Sequence, residues 1–162
     1  NNDDRYFYHK PAADFTYGIN TTLTYKNWPL AASGHGSVGN GVYNNVASDG
    51  EMLADLWTNE FTSNRLSSAL VSNFGQARYL SDYYVRDASF FKFDNVTLGY
   101  TFPQLFQSAK LGRAMGLNIY ATVQNVATIT NYDGLDPEVF SGIDNNLYPR
   151  PRTYILGIKF NF

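Results

Sequence analysis

The chain ends in R-T-Y-I-L-G-I-K-F-N-F, residues Arg152–Phe162, and this stretch decides the fold. From Tyr154 onward, every second residue is large and apolar, and the residues between are small or polar apart from Ile155. A period of two residues indicates a β-strand with one apolar face and one wetter face. Aromatic residues stand at both ends of the apolar face, as in strands that cross an outer membrane. The stretch therefore predicts a transmembrane β-strand.

The composition of the 162 residues agrees with this prediction. Aromatic residues make up 17% of the chain and charged residues only 16%, against about a quarter in ordinary soluble domains. Asn, Thr, Ser and Gly replace the missing charges, as expected for strands with a lipid face and an uncharged polar face. A net charge of −2 does not suggest a nucleic-acid partner. With no cysteine, disulfides and thiolate metal sites are excluded.

Five stretches show the alternation, and we expect strands at about 14–26, 28–42, 88–102, 117–130 and 152–162. The first is longer than the five or six residues of a usual soluble strand, and it is long enough to cross a bilayer. Pro103 is expected to end the third strand. The following residues, Gln104–Leu111, are expected to form one or two helical turns closed by Gly112.

The alternation is lost in two long loops, at about 44–87 and 131–150. Ser48–Glu51 matches a capping box, and apolar residues follow with helical spacing up to Phe61, which predicts a short helix in the first loop. Connections of this length are unusual in a compact soluble domain. They are typical of the extracellular loops of membrane barrels.

Five strands cannot form a closed barrel, and in lipid a sheet must close so that every backbone N–H and C=O is paired. Single-chain bacterial barrels have at least eight strands. The polar start of the chain also has no signal-peptide pattern. We therefore expect an all-β, antiparallel transmembrane β-barrel to which this chain contributes one part.

Three motifs carry a resemblance to a known family. Residues 85–102 resemble the RDASF…L-x-N-V-T-L-G-Y signature of SusC/RagA-type TonB-dependent outer-membrane transporters of Bacteroidetes. Gln124–Val126 and Asn131–Glu138 are similar to that family's GQNL…T-x-Y-x-G-x-D-P-E. Tyr148–Tyr154 is similar to the YPxxRTY motif that opens its final strand. Phe15–Gly18 and Tyr25–Trp28 also fit the family. The motifs occur in the family's order, and the resemblance extends over nearly the whole chain, with small departures at Phe93 and Val123.

The resemblance implies a barrel of about 22 strands, of which these are the last five, in the bacterial outer membrane. It implies TonB-dependent import of a glycan or peptide, without enzymatic activity and without a cofactor. The implied partners are the remainder of the same barrel and its plug, the TonB complex, a SusD-like surface lipoprotein, outer-membrane lipid, and an oligosaccharide or peptide substrate.

The two loops hold the candidates for contact with substrate or lipoprotein. Aromatic rings stack on sugar faces, and arginine forks bind carboxylates. The same side chains could instead pack the loops together. The candidates are Tyr83, Tyr84, Arg86, Tyr132, Asp133, Asp136, Tyr148 and Arg150.

Other motifs give weaker indications. Gly34–Gly39 formally matches the dinucleotide pattern G-x-G-x-x-G, but a strand or turn follows where a helix is needed, so no cofactor is expected. Asn131, Asp133, Asp136 and Glu138 offer oxygen ligands without the spacing of an EF-hand, which leaves calcium open. His9 and His35 have no catalytic partner at a motif spacing.

Two alternatives belong to other functional classes. A soluble, secreted β-sandwich carbohydrate-binding module would show similar local alternation. A barrel with a structural or adhesive role would share the strands and lack transport. Strand length and low charge favour the transporter over the sandwich.

Overall fold

The computed structural model describes residues 5–54, 56, 64–76, 78–107, 114–145 and 148–161. These form two compact units: a sheet unit (16–36, 91–129 and 150–162) and a loop unit (1–15, 37–90 and 130–149). Besides a 3-10 turn at Asp82–Tyr84, the elements are β1 (Phe15–Tyr25), β2 (Trp28–Val38), β3 (Gly41–Asn44), α1 (Asn45–Gly50), α2 (Ala69–Ser72), β4 (Val85–Asp87), β5 (Phe90–Gln107), β6 (Ala114–Thr130), β7 (Ile143–Asp144) and β8 (Thr153–Asn161).

The sheet unit contains one five-stranded sheet in the order β1-β2-β5-β6-β8. β6 and β8 are antiparallel, with an unbroken register from Gly116 opposite Asn161 to Gln124 opposite Thr153. Within this sheet, each strand lies beside the strand that comes next in the chain. This is the arrangement of a barrel wall, and it differs from the two packed sheets of the β-sandwich alternative.

The two faces of this sheet differ in chemistry. One face exposes large apolar side chains, among them Leu98 (46% exposed) and Leu156 (75% exposed). On the opposite face, polar side chains pair across the strands, as between Thr97 and Thr122 at 2.7 Å. Further pairs of this kind are Ser33 with Asn95 and Thr101 with Asn118. An apolar face of this extent is stable in lipid and unfavourable in water.

A β-bulge changes the alternation within β5. Adjacent residues Asp94 and Asn95 both bind side chains of β2 that share one face: His35 Nδ1 lies 2.8 Å from Asp94, and Asn95 donates to Ser33 at 2.6 Å. Successive residues of a regular strand point to opposite faces, so two neighbours on one face indicate a bulge. Phe91 and Leu98 are separated by an odd number of positions, so a regular strand would place them on opposite faces. Because of the bulge, Phe91 instead lies on the apolar face, where its ring stacks on that of Tyr17.

Three local expectations are wrong. First, β5 continues through Pro103 to Gln107, so the helical turns expected at 104–111 do not form at 104–107, and 108–111 lie outside the described residues. Thr101 N–H donates to Asn27 of the β1–β2 turn at 2.8 Å. The backbone nitrogen of Pro103 faces the same edge of β5 as that of Thr101, at a position beyond the end of β2. The proline's missing N–H therefore breaks no hydrogen bond between strands.

Second, the strand expected at 28–42 is two strands in different sheets, because β2 ends at Val38 and β3 begins at Gly41. Gly39 turns the chain between them with a φ of 81°. A side chain at this position would be strained, and its Cβ would overlap the carboxylate of Asp14.

Third, the helix expected after Ser48 does not form at its first apolar residues: α1 ends at Gly50, and Met52 forms a β-bridge with Phe74. Asn44, and not Ser48, is the N-cap of α1, since Asn44 Oδ1 accepts from the N–H of Ala47 at 2.9 Å. Ser48 lies inside α1, where its buried hydroxyl accepts from Tyr43 at 2.7 Å. Of the apolar residues expected to continue the helix, Trp57 and Phe61 lie outside the described residues.

The loop unit has a sheet of its own, in the order β4-β3-β7. The central strand β3 is antiparallel to β4 and parallel to β7, where Tyr43 lies opposite Ile143. Buried side chains from the segments 37–90 and 130–149 form a core cluster in this unit: Val42, Ala88, Tyr132 and Val139. Across the described ranges, no helix is long and apolar enough to span a membrane.

Candidate ligand-contact site

Three of the candidate residues lie in contact on the loop unit. Arg86, in β4, points its Nε towards Asp133 at 3.5 Å and its guanidinium towards the ring of Tyr83, 5.4 Å from the ring centroid. Arg86 also donates to the carbonyl of Tyr83. The side chains of Arg86 and Asp133 are 38% and 60% exposed, so the pair is screened by water and contributes little to stability. Its exposure leaves it open to a ligand.

Two residues that sequence reasoning missed extend this group. The ring of Phe74 packs edge to face on Tyr83 at 5.1 Å, and the guanidinium of Arg78 lies 4.6 Å from the centroid of Phe74. We call Arg78, Phe74, Tyr83 and Arg86 the arginine–aromatic row. In the part of the chain that the structure describes, no carboxylate pairs with Arg78. Its guanidinium edge can therefore bind an incoming carboxylate.

The backbone holds both rings of the row in place. Ser81 caps the 3-10 turn by accepting from the N–H of Tyr83 at 3.2 Å. The carbonyl of Phe74 accepts from the N–H of Leu53 at 3.1 Å. The first bond is local, but the second joins Phe74 to a segment about twenty residues earlier in the chain, so no local pattern could indicate where the Phe74 ring lies.

Two other candidates, Tyr84 and Tyr132, are buried, at 2% and 6% exposure. The hydroxyl of Tyr132 donates to Asp144 at 2.9 Å, and the same carboxylate oxygen accepts from the N–H of Leu135 at 3.1 Å. Asp144 is fully buried. Burial raises the pKa of Tyr132, and the carboxylate of Asp144 raises it further. Burial likewise raises the pKa of Tyr84, with a smaller contribution from Glu51. Both tyrosines pack the loop unit together.

The remaining candidates occupy other positions. Asp136 accepts from the N–H of Glu138 at 2.9 Å, as expected for a turn. Tyr148 is 91% exposed. The backbone carbonyl of Arg150 accepts from Asn125 at 2.7 Å, and Asn125 has a positive φ of 52° at the end of the β6–β8 register. Among the described residues, no group of three His, Asp or Glu side chains is arranged to hold a metal ion.

The buried Tyr132 predicts a loss of stability of the loop unit at alkaline pH. Unfolded tyrosine loses its proton near pH 10. Since folding raises the pKa of Tyr132, the folded unit keeps a proton that the unfolded chain releases at high pH. The contribution of Tyr132 to the free energy of unfolding is therefore complete below about pH 10 and falls as the pH rises above it. Hydrogen exchange of residues 130–145 between pH 8 and 11 measures this. Tyr132→Phe should weaken the pH dependence, and an unchanged dependence in that variant would contradict the assignment to Tyr132.

No family-level sequence model matches the chain. Among curated proteins, it is 41% identical to the TonB-dependent receptor SusC of Bacteroides thetaiotaomicron over 162 residues, or 98% of this chain and 16% of SusC. It is 28% identical to the TonB-dependent receptor P3 of Formosa agariphila over 181 residues, or 98% of this chain and 17% of the receptor. The chain thus spans less than a fifth of the curated relatives that it matches.

Solved structures of the RagAB peptide importer share the fold. The 'open-open' state matches with a TM-score of 0.72 at 24% identity, covering 95% of this chain and 18% of the importer chain. Another structure, of the RagAB peptide transporter, matches with a TM-score of 0.71 at 25% identity, covering 93% of this chain and 17% of that chain. These structures show the fold, and the 41% identity to SusC over nearly all residues of this chain shows that the chain belongs to the SusC/RagA family of TonB-dependent receptors.

Proposed function

We propose that the receptor containing this chain imports a nutrient, a glycan or a peptide, across the bacterial outer membrane with energy from the TonB complex. The two-faced sheet carries this proposal. Its apolar face fits contact with lipid, and its opposite face, lined with hydroxyl and amide groups, fits a wetted interior. Within this receptor, the sheet unit supplies barrel wall.

The loop unit serves in this proposal as a contact surface for the substrate or for a SusD-like lipoprotein. Support comes from the arginine–aromatic row, where two guanidinium groups flank two packed rings. Exposed aromatic and arginine side chains dominate the energetics of many binding surfaces. Asp133 and Tyr148, both exposed, extend the set of candidate contacts, and so do Asp136 and Arg150. Tyr84 and Tyr132 support the surface from within the core.

Uptake by cells that depend on this receptor tests the proposal. Labelled oligosaccharides and oligopeptides are offered as separate probes, and uptake of one class should stop when the receptor gene is deleted or when TonB is inactivated. Continued uptake of both classes at the normal rate after deletion would contradict an import function.

The contact role of the row is tested with Arg78→Ala and Tyr83→Ala. Each variant should weaken binding of the imported probe about tenfold, a loss of roughly 1.4 kcal/mol per variant that is common for such contacts. Phe140→Ala is the matched control, because Phe140 is an exposed aromatic residue of the same unit outside the row. Binding of the probe by both row variants at the level of this control would exclude the row as a substrate-contact site.

A further inference from the structure

A groove interrupts the apolar face of the sheet unit. It is shallow and open along its length, with a volume of about 770 Å³. One wall is aromatic and consists of Trp28, Tyr100 and Phe102, while Leu98 and Leu156 line it elsewhere. Ala121 also lines the groove, and its register partner is Leu156. All six of these side chains are apolar or aromatic, so the groove suits a hydrocarbon chain.

The aromatic wall is held by its own ring packing. Trp28 and Tyr100 pack edge to face with centroids 4.8 Å apart, and Tyr100 packs in the same way on Phe102 at 4.6 Å. Edge-to-face pairs at these distances are favourable. The groove is therefore formed before a ligand arrives, which lowers the entropy cost of binding.

The positively charged Lys26 lies in the turn next to Trp28, at one end of the aromatic wall. Its ammonium is 5.4 Å from the ring centroid of Tyr25. No carboxylate of the described residues pairs with it. An unpaired ammonium beside interfacial aromatic rings attracts an anionic headgroup.

We propose that the groove binds one acyl chain of a membrane glycerophospholipid whose phosphate lies at Lys26. A glycerophospholipid combines the two features that the site requires, an apolar chain for the groove and an anion for the ammonium at its end. The inference rests on the membrane placement of the sheet unit proposed above. It assigns a specific lipid to a defined groove, in addition to the general contact of a barrel wall with the bilayer.

The test uses the whole receptor containing this chain, purified in detergent, stripped of lipid and titrated with phosphatidylglycerol, with native mass spectrometry to count bound lipids. Ala121→Phe should fill the groove and weaken the tightest binding event at least tenfold. Ala121→Leu, a smaller change, should do so to a lesser extent. Ile19→Phe is the control, since Ile19 is exposed in β1 and does not line the groove.

Equal phosphatidylglycerol affinity of Ala121→Phe and Ile19→Phe would overturn the proposed groove. Lys26→Gln should weaken phosphatidylglycerol about fivefold and leave uncharged diacylglycerol unaffected, whereas an equal effect on both lipids would overturn the assignment of the phosphate. If the receptor is soluble without detergent and no variant binds lipid, membrane placement itself fails, and that outcome differs from the other two.

Discussion

Replacing Leu98 by arginine should destabilise the folded receptor in a lipid bilayer by about 2–4 kcal/mol. Leu98 lies midway along β5 on the apolar face, with nearly half of its side chain exposed. In a barrel wall this side chain meets the hydrocarbon, where an arginine must be desolvated or must reach the interface by distorting the surrounding lipid. Leu156→Arg should have a similar effect, because Leu156 is still more exposed on the same face.

The matched control is Thr22→Arg on the opposite face of β1. Thr22 is exposed, and its parity differs from that of the apolar side chains of β1. Thr97 is a poorer control, since its hydroxyl is bonded to Thr122 and its replacement would also remove that bond. Urea titration of receptors folded in lipid vesicles gives the free energies of unfolding. Equal losses for Leu98→Arg and Thr22→Arg would contradict the assignment of the two faces.

Replacing Asp144 by alanine should destabilise the loop unit by roughly 2–4 kcal/mol. The buried carboxylate accepts from the Tyr132 hydroxyl and the Leu135 N–H, and its loss leaves a buried hydroxyl and a partly buried N–H without this acceptor. Each such donor costs about 1–3 kcal/mol. Amide hydrogen exchange of residues 130–145 should therefore accelerate by one to a few orders of magnitude relative to the wild type.

The double variant Asp144→Ala/Tyr132→Phe provides the control. With the tyrosine hydroxyl also removed, one of the two unsatisfied donors disappears, so the double variant should lose less stability than the sum of the two single variants. Exact additivity would show that the Tyr132–Asp144 bond does not stabilise the unit. Unchanged exchange in Asp144→Ala would show that the carboxylate has no role there.

The fold class could be predicted because the strands of the sheet unit have a pattern that repeats along the chain. The final strand shows an alternating face without help from any contact, and the structure places Leu156 and Ile158 on that exposed face. The bulge at Asp94–Asn95 is also visible in the sequence, because the alternating apolar residues change from odd positions, at Phe91 and Phe93, to even positions, at Val96 and Leu98. A change of parity inside a long strand is the signal of an inserted residue.

The candidate site was less accessible to sequence reasoning, because its geometry depends on contacts between distant segments. Tyr84 and Tyr132 are of a residue type common in binding sites, yet both are buried and pack in the core of the loop unit. Nothing local distinguishes them from the exposed Tyr83. The expectation that Pro103 ends its strand is wrong for a related reason. A proline ends a strand only where its missing N–H is needed, and that depends on where the neighbouring strand stops.

The pairing of β3 joins the two long loops of this chain in one sheet. β3 is hydrogen-bonded on one side to β4, from its own long loop, and on the other side to β7, from the second long loop. A chimera that grafts only one of these loops from a relative would pair foreign strands with native ones across a shared three-stranded sheet. Grafts of 37–90 and 130–149 should therefore be transferred together, and residues within the two segments should have been selected as a pair.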